Sequence, residues 1–239
     1  MLELNKIYFE DCLKGMKKID DKSIDIILCD LPYGVTSRNK LDSIIPFDKL
    51  WEQYERIIKD NGAIILTSIQ PFTSITVCSN LKLFKYEWIW KKQQETGFLN
   101  SKKQPLRNHE SILVFYKSQP TYNPQFTQGK PYTCKSGKAS TNYNEQISVV
   151  TENNGKRYPL TILDFPYDKN KLHPTQKPLA LFEYLIKTYT KENELILDNC
   201  VGSGTTCLAA KNLNRNFIGF ENNKKYFDIA CNRIGQING

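Results

Sequence analysis

The run 194–221, ELILDNCVGSGTTCLAAKNLNRNFIGFE, constrains the fold more than any other stretch of this chain. A short apolar run leads into Asp198, Gly202-Ser203-Gly204 turns the chain, and a helical pattern begins near Thr205. A second apolar run then ends at Glu221, roughly 20 residues beyond the loop, in the order and spacing of a nucleoside-binding βαβ unit. Glycines let the backbone approach a ligand closely, and a carboxylate at the end of the second strand is placed to hold ribose hydroxyls. A phosphate-gripping loop is a poorer match, because GSGTT lacks the lysine of G-x-x-x-x-G-K-[ST]. The plainer alternative is a tight strand-to-helix turn with no ligand.

The rest of the chain extends this pattern. Apolar runs predict strands over 6–9, 24–29, 63–67, 86–90, 111–116, 194–197 and 217–220, alternating with helices over 48–59, 71–81, 178–188, 205–212 and 224–234. Such alternation argues for an α/β fold with a mostly parallel sheet. Leu179, Phe182, Leu185 and Ile186 share one helical face, with Pro178 expected at the first helical position and Thr175 or Lys177 near its start. Between 118 and 172 the periodicity fades into a stretch rich in Pro, Gly, Asn, Thr and Lys, which reads as a long irregular insertion. The 239 residues suffice for a single domain, 1–239, that carries this insertion.

The net charge of +8 is concentrated in one place. Residues 82–177 hold 16 basic and 7 acidic side chains, whereas the remainder holds 17 and 18. The same segment carries Tyr86, Trp88, Trp90, Tyr116, Tyr122, Tyr132, Tyr143 and Tyr158. Basic residues interleaved with aromatics suit a polyanion with stackable bases; a lysine-rich solvated surface is the alternative. Seven cysteines without a C-x-x-C pair and only two histidines, His109 and His173, argue against a disulfide framework and against a metal site. Reduced, mostly buried thiols are expected. No apolar run is long enough to cross a bilayer, and the first residues contain no signal-peptide pattern, so a cytoplasmic location is expected.

A second constellation, SIDIILCDLPYG, places Asp30-Leu31-Pro32-Tyr33 at the carboxyl end of an apolar strand, the sheet edge where ligands bind in open α/β folds. Pro32 fixes its own φ and Gly34 lets the chain turn away. The product is a rigid platform with one carboxylate, backbone carbonyls and one aromatic ring. It suits an aromatic base with an exocyclic amine, whose N–H groups Asp30 and a carbonyl would accept while Tyr33 stacks on the ring. A base within a duplex must be flipped out to reach it. A proline-terminated strand with a capping aspartate is the alternative.

Together these segments resemble the DNA amino-methyltransferases of the beta group, the adenine N6 and cytosine N4 enzymes, in which a D-P-P-Y motif precedes a recognition region and a D-P-F-x-G-S-G-T-T motif comes last. The chain has DLPYG at 30–34 and DNCVGSGTT at 198–206, in that order. NHESILVFYK at 108–117, RYPLTILDFP at 157–166 and HPTQKPLALFEYLI at 173–186 are also similar to family segments. The resemblance runs from Glu10-Asp11-Cys12 to Tyr226. It implies a Rossmann-like, circularly permuted fold dependent on S-adenosylmethionine, with 118–172 as the inserted target-recognition segment.

The resemblance makes Asp30, Leu31, Pro32 and Tyr33 the catalytic platform. It places Asp11 and Cys12 near the cofactor's adenine and Glu221 on its ribose. Asp198, Gly202, Ser203 and Gly204 fall on the methionine side, Thr175 and Lys177 near its carboxylate, and Cys200 is also a cofactor-binding residue. His173 is expected to be structural. The implied reaction is direct attack by adenine N6 on the sulfonium methyl, the leading aspartate favouring adenine over cytosine. The implied partner is DNA, and the family pattern is compatible with a homodimer and with a restriction-endonuclease partner. Leu31 replaces the first proline of D-P-P-Y, and Asn199-Cys200 replace Pro-Phe, changing a packing contact near the cofactor. A cytosine N4 enzyme, an RNA methyltransferase and a non-catalytic DNA-binding protein that kept the fold are the alternatives.

Overall fold

The computed structural model describes residues 2–34, 43–135, 150–169, 172 and 176–236. The chain forms two compact units, one from Met1–Asn123 with Thr161–Gly239 and one from Pro124–Leu160. The first unit opens with β1 (Lys6–Phe9), α1 (Cys12–Met16), β2 (Ile24–Cys29), α2 (Phe47–Ile57), β3 (Ile58–Ser68), α3 (Phe72–Ser79), β4 (Phe84–Thr96) and β5 (Arg107–Phe115). The second unit supplies β6 (Thr127–Gln128), β7 (Tyr132–Lys135), β8 (Val150–Asn153) and β9 (Lys156–Arg157). The chain returns to the first unit with β10 (Ile162–Asp164), α4 (Leu179–Tyr189), β11 (Leu195–Asp198), α5 (Thr205–Asn212), β12 (Asn216–Glu221) and α6 (Lys224–Ile234).

An eight-stranded sheet in the order β1-β12-β11-β2-β3-β5-β4-β10 organises the first unit. Only β5 runs against its neighbours β3 and β4. Period-two alternation explains why both faces are covered. Ile26, Leu28, Ile65, Ile112 and Val114 enter one core with α4, α5 and α6 residues. Ile27, Cys29, Ile64, Leu66, Leu113 and Phe115 enter the other with α1, α2 and α3 residues. These side chains are at most 1% exposed, and full burial of each Leu or Ile contributes about 1.5–3 kcal/mol.

From β2 the chain continues to β3 on one side, and from β11 to β12 on the other. The carboxyl ends of β2 and β11 therefore flank a topological switch point, which opens a crevice for ligands.

Several elements differ from the sequence reading. β3 begins directly where α2 ends, and β4 and β5 outrun the runs expected over 86–90 and 111–116. Their extensions, including Lys91-Lys92-Gln93-Gln94-Glu95-Thr96, lack apolar alternation because the paired strands continue beyond Ser68, the last residue of β3. Pro178 is the N-cap of α4 (φ −61°, ψ 132°), so the first helical residue is Leu179. Its N–H is accepted by the Asp168 carboxylate, a cap reached from outside the local motif. The stretch 118–172 is not uniformly irregular: β6 pairs with β9, β7 with β8, and β10 belongs to the large sheet. Among the described residues, no helix is long and apolar enough to cross a membrane.

Candidate active site

A cavity of about 550 Å³ lies at the switch point, a volume typical of small-molecule sites. It is lined by Asp11, Cys12, Asp30, Leu31, Pro32, Tyr33, Lys177, Asp198, Cys200, Gly202, Ser203 and Glu221. The two motifs, 168 positions apart in sequence from Asp30 to Asp198, thus share one site. Gly204 is outside the lining: it caps α5 at φ +82°, and a Cβ there would stand 3.2 Å from Ala230. Thr175 and His173 lie outside the described residues.

On the β11 side, carboxylates hold backbone amides. Glu221 accepts the N–H of Gly202 and of Asn223, each at 2.8 Å, so it braces the glycine loop from the next strand. Burial raises its pKa, and those same bonds pull it back down. Asp198 accepts the N–H of Cys200 at 3.0 Å. Burial pushes its pKa up to about 6, against the pull of Thr206 and that amide. Asp11 caps α1 by accepting the N–H of Lys14. Asn199 accepts the Tyr54 hydroxyl at 2.5 Å and so ties the loop to α2.

The thiols here are protonated. Burial pushes Cys29 up to about 12, and the neighbouring Cys200 thiol followed by burial raises Cys12 beyond the ordinary range. The described cysteines are all free; Cys12, Cys29, Cys207 and Cys231 are buried, Cys200 is half-buried, and Cys78 and Cys134 are exposed.

On the β2 side, charged side chains hold one another. Among the described residues, Asp30 caps no helix. Its Oδ1 accepts hydrogen bonds from the Tyr33 and Thr67 hydroxyls, and its Oδ2 accepts one from Lys177 Nζ at 2.6 Å. The ring of Tyr33 leans on Phe72 with centroids 5.2 Å apart. Burial, then the Asp30 charge, lifts the Tyr33 phenol well above its ordinary pKa, so it stays a donor.

Lys177 is buried and does not face solvent. Its ammonium is bonded to Asp30 and lies 3.3 Å from Glu110 Oε2. Burial opposes its charge, but Asp30, Tyr33 and Glu110 outweigh burial and raise its pKa well above that of an ordinary lysine. Glu110 also pairs with Lys92 at 3.2 Å. Four charges therefore run in the order Lys92, Glu110, Lys177, Asp30, with side-chain exposures of 5, 12, 6 and 25%. Such a buried network is nearly neutral in net stability when complete and costly when one member is removed.

Glu110, Lys92, Thr67, Gln176 and Asp168 were not singled out from sequence. Gln176 accepts from Ser203 Oγ at 3.3 Å and donates to Asp168 at 2.8 Å, which links the glycine loop to the start of α4. Glu110 and Gln176 do lie within the family-like segments NHESILVFYK and HPTQKPLALFEYLI, but only the fold reveals their partners.

Residues 24–232 match the DNA methylase family of N6/N4 methyltransferases, and the chain belongs to that family. Type II methyltransferase M.HpaI of Haemophilus parainfluenzae is 28% identical over 98% of this chain and 76% of its own length. The crystal structure of the M1.HpyAVI–SAM complex superposes with a TM-score of 0.64 at 28% identity, covering 95% of this chain and 98% of that one. The cytosine-N4-specific PvuII DNA methyltransferase shares the fold, with a TM-score of 0.71 at 15% identity over 95% of this chain and 85% of its own.

Proposed function

We propose that this DNA methyltransferase transfers a methyl group from S-adenosylmethionine to adenine N6 at specific sites in DNA. The observation that carries the reading is the Asp30 carboxylate, which opens from the end of β2 into the same cavity as the glycine loop. The lining suits a cationic nucleoside without phosphate: it holds carboxylates from Asp11, Asp198 and Glu221, and its glycine loop has no lysine. Glu221 would hold the ribose, Asp11 and Cys12 the adenine, and Asp198, Cys200, Gly202 and Ser203 the methionine portion. When bound, the cofactor supplies an electrophilic methyl group on a sulfonium.

The chain's own contribution is positioning. An exocyclic amine on a purine is a weak nucleophile because its lone pair is delocalised into the ring. Asp30 accepts one amine N–H and so turns the nitrogen lone pair out of conjugation, and the proton lost in transfer passes to Asp30 or to water. Tyr33 and Pro32 confine the flipped base, and alignment in a dry cavity supplies most of the rate. The Pro124–Leu160 unit is assigned to target recognition. Between 124 and 160 the sequence has five basic and two acidic residues; Arg157 lies over the Tyr132 ring at 4.5 Å, and Tyr158 is 71% exposed.

The test is transfer from labelled S-adenosylmethionine to mixed-sequence DNA, followed by nucleoside analysis. Labelled N6-methyladenine is expected. N4-methylcytosine would overturn the base assignment, and DNA binding without transfer would overturn the catalytic reading.

A further inference from the structure

Asp30 is hydrogen-bonded on both oxygens. Oδ1 receives two hydroxyl donors, which fills its two lone pairs. One lone pair remains on Oδ2, beside the Lys177 ammonium. An amine hydrogen approaching there meets the ammonium's hydrogens, which carry the same sign of charge. Docking therefore favours a shift of the ammonium away from Oδ2.

The structure holds a place for it. Glu110 Oε2 is buried, lies 3.3 Å from Lys177 Nζ, and is the one buried side-chain polar atom without a hydrogen bond among the described residues. Its other oxygen is occupied by Lys92. A buried carboxylate oxygen without a hydrogen bond is costly, and the ammonium in its ion pair gives its hydrogen bond to Asp30.

We propose that Lys177 is a latch on Asp30, that Glu110 Oε2 is the seat it moves to when the amine docks, and that Lys92 fixes that seat. The inference rests on Asp30 as the amine acceptor. Glu110 touches neither base nor cofactor and is a positioning residue. The shift exchanges the ammonium's bond to Asp30 for one to Glu110, so no buried charge is stranded and the four-charge cluster stays neutral. Lys177 is thereby withdrawn as the amine enters.

A double-mutant cycle tests this. Glu110→Gln should lower kcat by about 10- to 100-fold, the loss of one hydrogen bond to a charged group. The KM for S-adenosylmethionine should stay within about threefold, because the lost interaction belongs to the amine. In a Lys177→Met background the same change should cost less than about threefold, since Glu110 acts only through Lys177. Equal losses in both backgrounds would overturn the latch. If Glu110→Gln fails to fold by thermal melting, Lys92→Met/Glu110→Gln removes a matched pair and enters the same cycle.

A second readout is independent of turnover. The Lys177 ammonium, followed by 15N NMR, should shift when deoxyadenosine is added to the unsubstituted chain and should not shift in Glu110→Gln. The same shift in both would overturn the proposal. Failure of the unsubstituted chain to methylate DNA would overturn the reading of Asp30 and the latch with it, whereas transfer with an additive cycle overturns the latch alone.

Discussion

The two banks of the cavity are built on different principles. On the β11 bank, carboxylates hold backbone amides: Asp198 holds Cys200, Asp11 holds Lys14, and Glu221 holds Gly202 and Asn223. On the β2 bank, side chains hold side chains across the fold, with Lys177 meeting Asp30 from 147 positions away. The first bank shapes a fixed cradle, as a bound cofactor needs. The second is a set of alternative pairings, as a site that must admit a reactive amine needs.

The contrast predicts different responses to damage. Lys177→Met leaves the half-buried Asp30 and Glu110 carboxylates with Lys92 as the remaining cation of the cluster, and should cost about 3 kcal/mol of stability, read by urea unfolding. Loss of less than about 1 kcal/mol would place the ammonium outside the buried network.

Glu221→Gln should weaken S-adenosylmethionine binding by about 10- to 100-fold in calorimetry, since one charged acceptor is lost, with little change in melting temperature. A large fall in melting temperature with unchanged affinity would assign Glu221 to the scaffold instead. Gly204→Ala should cost about 1–2 kcal/mol in unfolding experiments, because φ +82° is strained for any residue with a Cβ. Gain of stability would contradict that backbone.

The smallest effect concerns pH. The Asp198 pKa of about 6 lies above its ordinary value, so the folded chain keeps a proton that the unfolded chain releases. Its stabilising share is complete below about pH 4 and is lost as the pH rises through about 6. Binding of a cationic cofactor runs the other way, because it needs the carboxylate ionised. Affinity should fall about tenfold from pH 7 to pH 5, and Asp198→Asn should flatten the profile. A profile equally steep in Asp198→Asn would assign the titration elsewhere.

The same contrast explains what could be read from sequence. The β11 bank was legible because strand, glycine loop, helix and closing acid follow in one run, and α5 and α6 matched their expected bounds. Asp30 was legible because an apolar strand ends in Asp-Leu-Pro-Tyr. The partners of Asp30 were not. Glu110 and Lys92 sit where β4 and β5 outrun the apolar pattern, and nothing local marks a lysine at 177 as the mate of an aspartate at 30. The cap of α4 was missed for the same reason: Asp168 reaches Leu179 over 11 positions.

The division between a binding bank and a reacting bank is tested most directly by comparing Asp30→Asn with Glu221→Gln for single-turnover methyl transfer and for cofactor affinity. Asp30→Asn should lose transfer by about 1,000-fold or more with cofactor affinity within about threefold of the unsubstituted chain, and Glu221→Gln should lose cofactor affinity by about 10- to 100-fold with transfer within about threefold at saturating cofactor. Near-normal transfer by Asp30→Asn, or equal losses of affinity in both, would contradict the assignment of chemistry to the charged bank.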